Sequence, residues 1–268
     1  MRQEIIIYIL LFAGLIFVLR ACSFSRKLLY FPAGISQTRL DFIKKYYKEV
    51  SEISIPVNDD HTLHGWLIQK DLKKYPLIIY FGGNAEEVSL NIEDFIDNIT
   101  ANFLLLNYRG YGLSSGSPSE KKLLADSEKI YEFAASEYDL SPDRIYAMGR
   151  SLGSGIAVHL AVKKNLPKAI LITPYTSIEE TAKVHFPSLI VKFFLTDPFR
   201  ADLLIKDYKN TVHIIAAADD EIIPAELAKR LYDQIDCRKG ITIIQNAGHN
   251  TISNYYEYWS ALQKAVLE

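Results

Sequence analysis

The feature of this sequence that most restricts its fold is a series of six short, continuous apolar runs separated by helix-like segments. Strands that are buried on both faces have this composition, because helices cover each side of a parallel sheet. The runs are Leu77–Phe81, Phe103–Leu106, Ile145–Met148, Ala169–Ile172, His213–Ala217 and Ile241–Ile244. Their alternation with helical segments predicts an α/β domain with a mostly parallel central sheet flanked by helices.

The sequence before these runs predicts an antiparallel hairpin beside the sheet. Apolar residues alternate over Ile53–Val57, Asn58–His61 supplies turn-forming residues, and Leu63–Ile68 is the expected partner strand. Farther along, Ser117–Glu120 has the spacing of a capping box with a proline in the first turn, which predicts a helix to about Ala135.

One connection is much longer than the others. About forty residues separate the strand that ends near Ile172 from the next strand, which begins near Val212. They contain a second capping box at Ser177–Glu180 and the apolar run Phe186–Leu195. A long excursion at one point of a compact sheet is usually a functional lid, so a small cap is expected over approximately residues 173–207.

The first 24 residues differ from ordinary globular sequence. An uninterrupted apolar run, Ile5–Leu19, precedes Arg20. It has no polar face, which excludes a buried amphipathic helix, and it fits either an uncleaved membrane anchor or a signal sequence. Leu19–Cys22 resembles a bacterial lipoprotein cleavage box, from which Arg20 departs. Residues 1–24 are therefore predicted to be a membrane anchor or a lipoprotein signal.

Both interpretations attach the protein to a membrane, with the cell membrane expected, but they differ about the side. Arg20, Arg26 and Lys27 outweigh Arg2, which favours a cytoplasmic domain. Lipidation of Cys22 would place the domain outside. The remaining composition argues against other partners, because a net charge of −2 gives no basic footprint for nucleic acid.

A candidate nucleophile lies in Met148–Gly155, MGRSLGSG, which contains a Gly-x-Ser-x-Gly pentapeptide. Strand-like sequence precedes Ser151 and helix-like sequence follows it, so the serine is expected at a sharp strand-to-helix turn. Gly149 and Gly153 would leave room for close packing around that turn. The helix that begins there directs free backbone N–H groups, including that of Leu152, toward an oxyanion beside Ser151.

A serine nucleophile needs a base and an acid. His249 lies in the loop Asn246–Asn250 before the expected last helix, Ile252–Leu267, at the sheet edge that also carries Ser151. The candidate acids Asp219, Asp220 and Glu221 follow the preceding strand. The other histidines, interpreted as ordinary surface or core residues, are His61, His64, His159, His185 and His213.

The loop Tyr80–Glu87 follows an early strand and offers the second half of an oxyanion hole. Gly82 and Gly83 let its backbone approach an anion, and the loop lacks the three spaced glycines of a dinucleotide-binding turn. The turn Tyr108–Gly112 is predicted to be structural and to position this region.

Five ordered motifs together resemble the serine α/β-hydrolases, in the membrane-associated branch that includes acyl-protein thioesterases and monoacylglycerol lipases. The resemblance covers Leu29 to the end of the chain and implies residues 25–268 as an α/β-hydrolase domain with a small cap. The motifs are FGGNA (Phe81–Ala85), NYRGYGLSSGSPSE (Asn107–Glu120), GRSLGSG (Gly149–Gly155), DDEIIP (Asp219–Pro224) and AGHN (Ala247–Asn250).

The resemblance also implies roles for particular residues. Ser151 would be the nucleophile, Asp220 the acid and His249 the base, with the backbone N–H groups of Asn84 and Leu152 as oxyanion donors. The implied chemistry uses no metal and no organic cofactor. Cys22 and Cys237 lie too far apart in sequence for a disulfide framework or a metal knuckle.

The expected function is hydrolysis of carboxylic ester or thioester bonds of small-molecule or lipid-like acyl substrates near a membrane. A serine aminopeptidase or amidase is an alternative with the same triad, but it needs an acidic group for the substrate amine. A non-catalytic, membrane-tethered binding protein on a hydrolase scaffold is another, and it predicts a degraded triad. The cap run Phe186–Phe194 fits ordinary packing or contact with acyl chains and membrane.

Overall fold

The computed structural model describes residues 26–57 and 60–268. Eight strands form one sheet in the order β1-β2-β4-β3-β5-β6-β7-β8. The strands are β1 (Val50–Val57), β2 (His61–Ile68), β3 (Leu77–Phe81), β4 (Asn102–Leu106), β5 (Ile145–Arg150), β6 (Lys168–Ile172), β7 (Thr211–Ala217) and β8 (Lys239–Ile244). Strand β2 runs antiparallel to β1 and β4, and all other neighbours are parallel.

Helices cover both faces of the sheet. They are α1 (Gln37–Tyr46), α2 (Ile92–Asn98), α3 (Glu120–Glu137), α4 (Leu152–Lys164), α5 (Ile178–His185), α6 (Ser188–Phe194), α7 (Ala201–Leu204), α8 (Ala225–Asp233) and α9 (Tyr256–Leu267). Apolar residues of α3, α4 and α8 pack in one core. Residues of α1, α2 and α9 pack in a second core on the opposite face. The predicted α/β-hydrolase fold class, with its mostly parallel sheet, is confirmed.

The long excursion between β6 and β7 contains α5, α6 and α7. The prediction that Ser177 caps the N-terminus of a helix is confirmed, because the Ser177 hydroxyl accepts a hydrogen bond of 3.1 Å from the backbone N–H of Glu180. Helix α5 therefore begins directly after Ser177. The segment that contains α5, α6 and α7 is called the cap below.

Two helix starts differ from the prediction. Helix α3 begins at Glu120, and Ser119, whose backbone is extended, precedes it without a side-chain capping bond. The capping box assigned to Ser117 is therefore wrong. At the end of the chain a short 3₁₀ turn, Ile252–Asn254, precedes α9, so the last helix starts four residues later than expected.

The predicted anchor or signal at residues 1–24 lies outside the described residues. No helix in the part of the chain that the structure describes has both the length and the apolar composition needed to cross a bilayer.

Candidate active site

Ser151 lies at the turn between β5 and α4, in a backbone conformation that few side chains adopt. Its φ is 51° and its ψ is −119°. The backbone N–H of Ser151 donates a 2.9 Å hydrogen bond to the Ile172 carbonyl at the end of the neighbouring strand β6. This bond and the packing around the turn hold a conformation that would otherwise cost about 1–3 kcal/mol.

The two glycines of the pentapeptide are required by close contacts between main-chain atoms. A Cβ added to Gly149 would lie 2.1 Å from the Gly153 carbonyl oxygen, and one added to Gly153 would lie 2.0 Å from the Phe81 carbonyl oxygen. Helix α4 therefore begins against the end of β3, and only glycine permits that approach.

Ser151, His249 and Asp220 form a continuous chain of hydrogen bonds. The Nε2 atom of His249 lies 3.0 Å from the Ser151 hydroxyl, and its Nδ1 atom lies 2.7 Å from Asp220 Oδ2. The three residues are only 9%, 4% and 8% exposed, respectively. A hydroxyl, an imidazole and a carboxylate in this order can activate the serine for attack on a carbonyl.

The acid loop distinguishes the three candidate carboxylates. Asp220 Oδ1 accepts hydrogen bonds from the backbone N–H groups of Ile222 and Ile223, at 2.9 and 2.6 Å, which leaves Oδ2 directed at His249. The Glu221 carboxylate instead accepts from the backbone N–H of His249 at 3.2 Å. The backbone N–H of Asp219 donates to the Ala247 carbonyl. Asp220 is thus the acid that contacts the imidazole.

The other five histidines contact groups other than Ser151 or lie within the sheet. His61, His64 and His159 contact Ser115, Glu52 and Glu128, respectively, and His185 contacts the Ile222 carbonyl. His213 lies within β7, where burial lowers its pKa. These positions agree with their interpretation as surface or core residues.

The glycine loop after β3 lies directly beside Ser151. A Cβ added to Gly83 would be 3.7 Å from the Ser151 Cβ atom. The predicted oxyanion donors are the backbone amides of Asn84, in this loop, and of Leu152. Within residues 26–57 and 60–268, neither amide donates a hydrogen bond to a protein group, so both are free to donate to a substrate oxygen. Their role as oxyanion donors remains a prediction.

Glu86 fixes the shape of this loop, and its role was not predicted from the sequence. Its carboxylate accepts hydrogen bonds from the Gly83 backbone N–H at 2.8 Å and from the Tyr80 hydroxyl at 2.7 Å. The Tyr108 hydroxyl adds a 2.6 Å bond to the Gly82 carbonyl, so the turn Tyr108–Gly112 supports the loop as expected.

Arg150, the residue between the first glycine and the serine of the pentapeptide, joins the glycine loop to His249. Its guanidinium lies 3.4 Å from the Glu86 carboxylate and donates to the His249 carbonyl at 3.2 Å. Burial alone would lower the pKa of Arg150, but the electrostatic interactions with Glu86, Tyr80, Tyr258 and Asp220 together outweigh it and the pKa is raised. The guanidinium therefore stays charged. The pentapeptide gives no signal for this role, because its second position accepts any residue.

A third feature absent from the sequence prediction is a strap, residues 26–31, that contacts the glycine loop. The Asn84 side chain donates to the Leu29 carbonyl and accepts from the Phe31 backbone N–H at 3.1 Å. The strap also contacts the cap, because Asp197 accepts from the Tyr30 hydroxyl at 3.0 Å and from Arg26 at 3.2 Å. It therefore links the glycine loop to the cap.

Over the described ranges 26–57 and 60–268, no cluster of three or more His, Cys, Asp or Glu side chains could hold a metal ion. Cys237 has a free thiol and is half-buried.

Several curated proteins are similar in sequence. An uncharacterized protein of Mycobacterium tuberculosis is 31% identical over 228 residues, which cover 84% of this chain and 80% of the relative. The α/β-hydrolase domain-containing protein WAV2 of Arabidopsis thaliana is 28% identical, with 81% and 77% covered. The lysophosphatidylserine lipase ABHD12 of Danio rerio is 29% identical over 190 residues, covering 63% of this chain and about half of the lipase (49%).

Solved structures show the same architecture. An α/β-hydrolase from Vibrio vulnificus superposes with a TM-score of 0.71 at 18% identity, covering 87% of each chain. An esterase from Pyrococcus furiosus has a TM-score of 0.66 at 18% identity, with 82% and 91% covered. No protein-family model matches the chain. The shared sheet topology shows that the chain has the α/β-hydrolase fold, and the sequence relatives that span most of the chain include an α/β-hydrolase domain-containing protein.

Proposed function

We propose that the protein is a serine hydrolase that cleaves carboxylic ester or thioester bonds of acyl or lipid-like substrates near a membrane. The observation that carries this proposal is the hydrogen-bonded chain from Ser151 through His249 to Asp220, at 3.0 and 2.7 Å. A non-catalytic scaffold gives no reason to keep a strained serine within reach of an imidazole and a carboxylate.

In the first step, Ser151 attacks the substrate carbonyl carbon while His249 Nε2 takes the hydroxyl proton. Asp220 accepts from His249 Nδ1 and stabilises the positive charge that forms on the imidazole. Because two backbone amides hold the other oxygen of Asp220, the carboxylate and the imidazole tautomer are oriented before the substrate binds. This arrangement lowers the reorganisation needed in the transition state.

The negative charge on the former carbonyl oxygen would be stabilised by the amides of Asn84 and Leu152. His249 then returns its proton to the leaving alcohol or thiol, the bond from the carbonyl carbon to that group breaks, and an acyl ester remains on Ser151. A water molecule activated by His249 attacks this ester. The free acid leaves, and Ser151 regains its proton.

The expected substrate class has two independent supports. The zebrafish relative is a lysophosphatidylserine lipase, and the sequence begins with the apolar run Ile5–Leu19, for which a membrane anchor or signal is expected. Residues 1–24 would hold the hydrolase domain at a membrane, where acyl esters and acylated proteins are concentrated.

The decisive experiment replaces the nucleophile. Ser151→Ala should lower the turnover of short p-nitrophenyl esters by about ten-thousand-fold or more, because the acyl-enzyme can no longer form. A fluorophosphonate probe should label the wild-type protein and fail to label this variant. The matched control is Ser154→Ala, since Ser154 lies in the same turn but donates only to the Ser151 carbonyl at 2.7 Å.

Both proteins should show the circular dichroism spectrum of the folded wild type. Unchanged ester turnover in a folded Ser151→Ala protein would refute the proposal. Failure of the fluorophosphonate to label the wild-type protein would instead favour a non-catalytic binding protein.

A further inference from the structure

The cap carries an apolar face that the rest of the described chain does not cover. This face, here called the cap face, consists of Val184, Phe186, Leu189, Ile190, Phe193 and Phe194. Phe193 is 74% exposed, and Leu189 is 67% exposed. A surface helix of a globular domain normally turns its apolar stripe toward the core, yet only Val191 of the apolar residues in α6 is buried.

The cap face continues into the strap through an apolar groove. The groove has a volume of about 180 Å³ and lies between Leu28 and Leu29 of the strap and Phe186, Ile190 and Phe194 of the cap. Leu28 itself is 59% exposed, and Phe31 is 52% exposed. The apolar surface therefore extends from α6 to the first described residues of the chain. Contiguous exposed patches of this kind mark interaction sites.

The chain that precedes the strap restricts what can cover this face. Leu28 follows Leu19, the last residue of the uninterrupted apolar run, by nine positions. A fully extended chain of that length spans about 30 Å. If the run lies in a bilayer, as proposed above, Leu28 lies within about 30 Å of the same bilayer, which keeps the strap and the adjoining cap face within reach of its surface.

The charged residues next to the cap face fit a lipid surface. Lys192 is the one charged residue of α6, and Lys27 lies beside Leu28 in the strap. Long basic side chains at the edge of an apolar surface reach the headgroup layer while their stems stay in apolar surroundings. Anionic headgroups would also attract them.

We propose that the cap face docks on the lipid bilayer, with the side chains of Leu189 and Phe193 among the acyl chains. This proposal rests on the membrane attachment in the proposed function, but not on the catalytic roles of its residues. The strap connects the docked surface to the glycine loop through Asn84, so docking would place the site next to the lipid phase.

A pair of tryptophan variants tests the docking directly. Leu189→Trp places a reporter on the cap face. Leu267→Trp is the matched control, because Leu267 is 66% exposed, close to the 67% of Leu189. Leu267 ends α9, whose carbonyls at Ala265 and Val266 bind Lys168 at the start of β6. The control therefore lies at the sheet edge opposite Ser151.

The full-length variants are incorporated into vesicles of phosphatidylcholine and phosphatidylglycerol, with and without bromine atoms on the acyl chains. Bromine quenches tryptophan only at contact distance. Wild-type protein gives the background of Trp66 and Trp259. The added fluorescence of Leu189→Trp should fall by at least half in brominated vesicles, and that of Leu267→Trp should not change.

Equal quenching of the two variants, or no quenching of Leu189→Trp, would overturn the proposal. Protection of Leu189→Trp from both bromine and soluble iodide would show that a second copy or another protein covers the face, and would overturn it too. These readouts do not require catalysis, so they remain valid if the protein hydrolyses no ester.

An activity measurement tests the consequence for substrates held in lipid. Leu189→Glu should lower the hydrolysis of a long-chain ester in vesicles by about tenfold and leave a soluble short-chain ester unchanged. Leu267→Glu should affect neither. Equal loss on both substrates for Leu189→Glu would indicate damage to the fold and contradict a docking role.

Discussion

The unusual backbone conformation of Ser151 is held by contacts on both sides of its turn. The backbone bond to Ile172 fixes one side of the turn, and the contact between Gly153 and the Phe81 carbonyl fixes the other. Strain of this kind is found where a side chain must project from a turn toward a reacting group. In this site the projection brings the hydroxyl to His249 Nε2.

The glycine contacts give a prediction at the residue scale. Gly153→Ala should lower the free energy of unfolding by about 3 kcal/mol, because a methyl group 2.0 Å from the Phe81 carbonyl oxygen forces β3 and α4 apart. Ester turnover should fall with it. Urea unfolding followed by tryptophan fluorescence measures the first effect.

Gly34→Ala is the matched control, since a Cβ at Gly34 would meet no atom within 4 Å. Its unfolding curve should overlay the wild-type curve. A Gly153→Ala protein as stable and active as wild type would show that the turn does not need glycine.

The individual site residues differ in how far the sequence could reveal them. Ser151, Asp220 and His249 each lie in a short motif just after a predicted strand, and parallel strands bring such positions to one edge. Glu86 acts through Gly83 and Tyr80 of its own loop, and Arg150 acts through Glu86 and His249, which are distant in sequence. Their types and spacing carry no pattern, so only the folded chain reveals them.

At the scale of elements, a buried lysine ties a strand to a helix. Lys168, at the start of β6, donates to the carbonyls of Ala265 and Val266 in the last turn of α9, at 2.8 and 3.0 Å. Burial, with the nearby charge of Arg238, lowers the pKa of Lys168 to about 8. Cations at a helix C-terminus are favourable, which partly offsets the cost of burying this one.

This shift predicts a pH-dependent stability. Between pH 8 and about 10.5 the unfolded chain keeps a proton on Lys168 that the folded chain has released. The contribution of this group to stability therefore rises with pH over that window. The free energy of unfolding of wild type relative to Lys168→Met should increase by about 2 kcal/mol from pH 7.5 to 10.

Lys264→Met is the control, because the Lys264 side chain is 69% exposed on the same helix. Chemical denaturation at several pH values supplies the data. A constant difference between wild type and Lys168→Met across the range would contradict the assignment.

The elements themselves could be predicted unevenly. All six apolar runs lie within observed strands, because a strand buried on both faces leaves a compositional signature. The start of α3 was predicted too early, since Ser117 and Ser119 both have cap-forming side chains and only the folded backbone distinguishes them. The strap cannot be predicted from the sequence, because its contacts with Asn84 and Asp197 join residues that are distant in the chain and follow no periodic pattern.

At the scale of the whole molecule, the strap makes the boundary of the hydrolase domain testable. A chain that lacks residues 1–24 retains the strap, and it should hydrolyse soluble short-chain esters within about twofold of wild type. A chain that lacks residues 1–31 loses Tyr30, which is 4% exposed, and leaves buried Asp197 without its partners. It should unfold at a lower temperature, because a buried charge left unpaired is costly. Its turnover should fall at least about tenfold, because the Asn84 side chain in the glycine loop loses its contacts with Leu29 and Phe31.

Thermal unfolding and ester assays on the two shortened chains measure these effects. Equal behaviour of both would show that the strap is dispensable. Loss of folding in the chain that lacks only residues 1–24 would show that the domain extends into those residues.

The contacts of the strap also set an order of events during synthesis. Arg26 and Tyr30 leave the ribosome early, but Asp197 follows them by 171 and 167 residues, respectively. Until Asp197 has been made, nothing ties the strap to the cap. If the first residues hold the nascent chain at a membrane, the apolar strap therefore stays at the lipid surface while most of the chain is translated. Only after Asp197 has been made can the strap bind the cap.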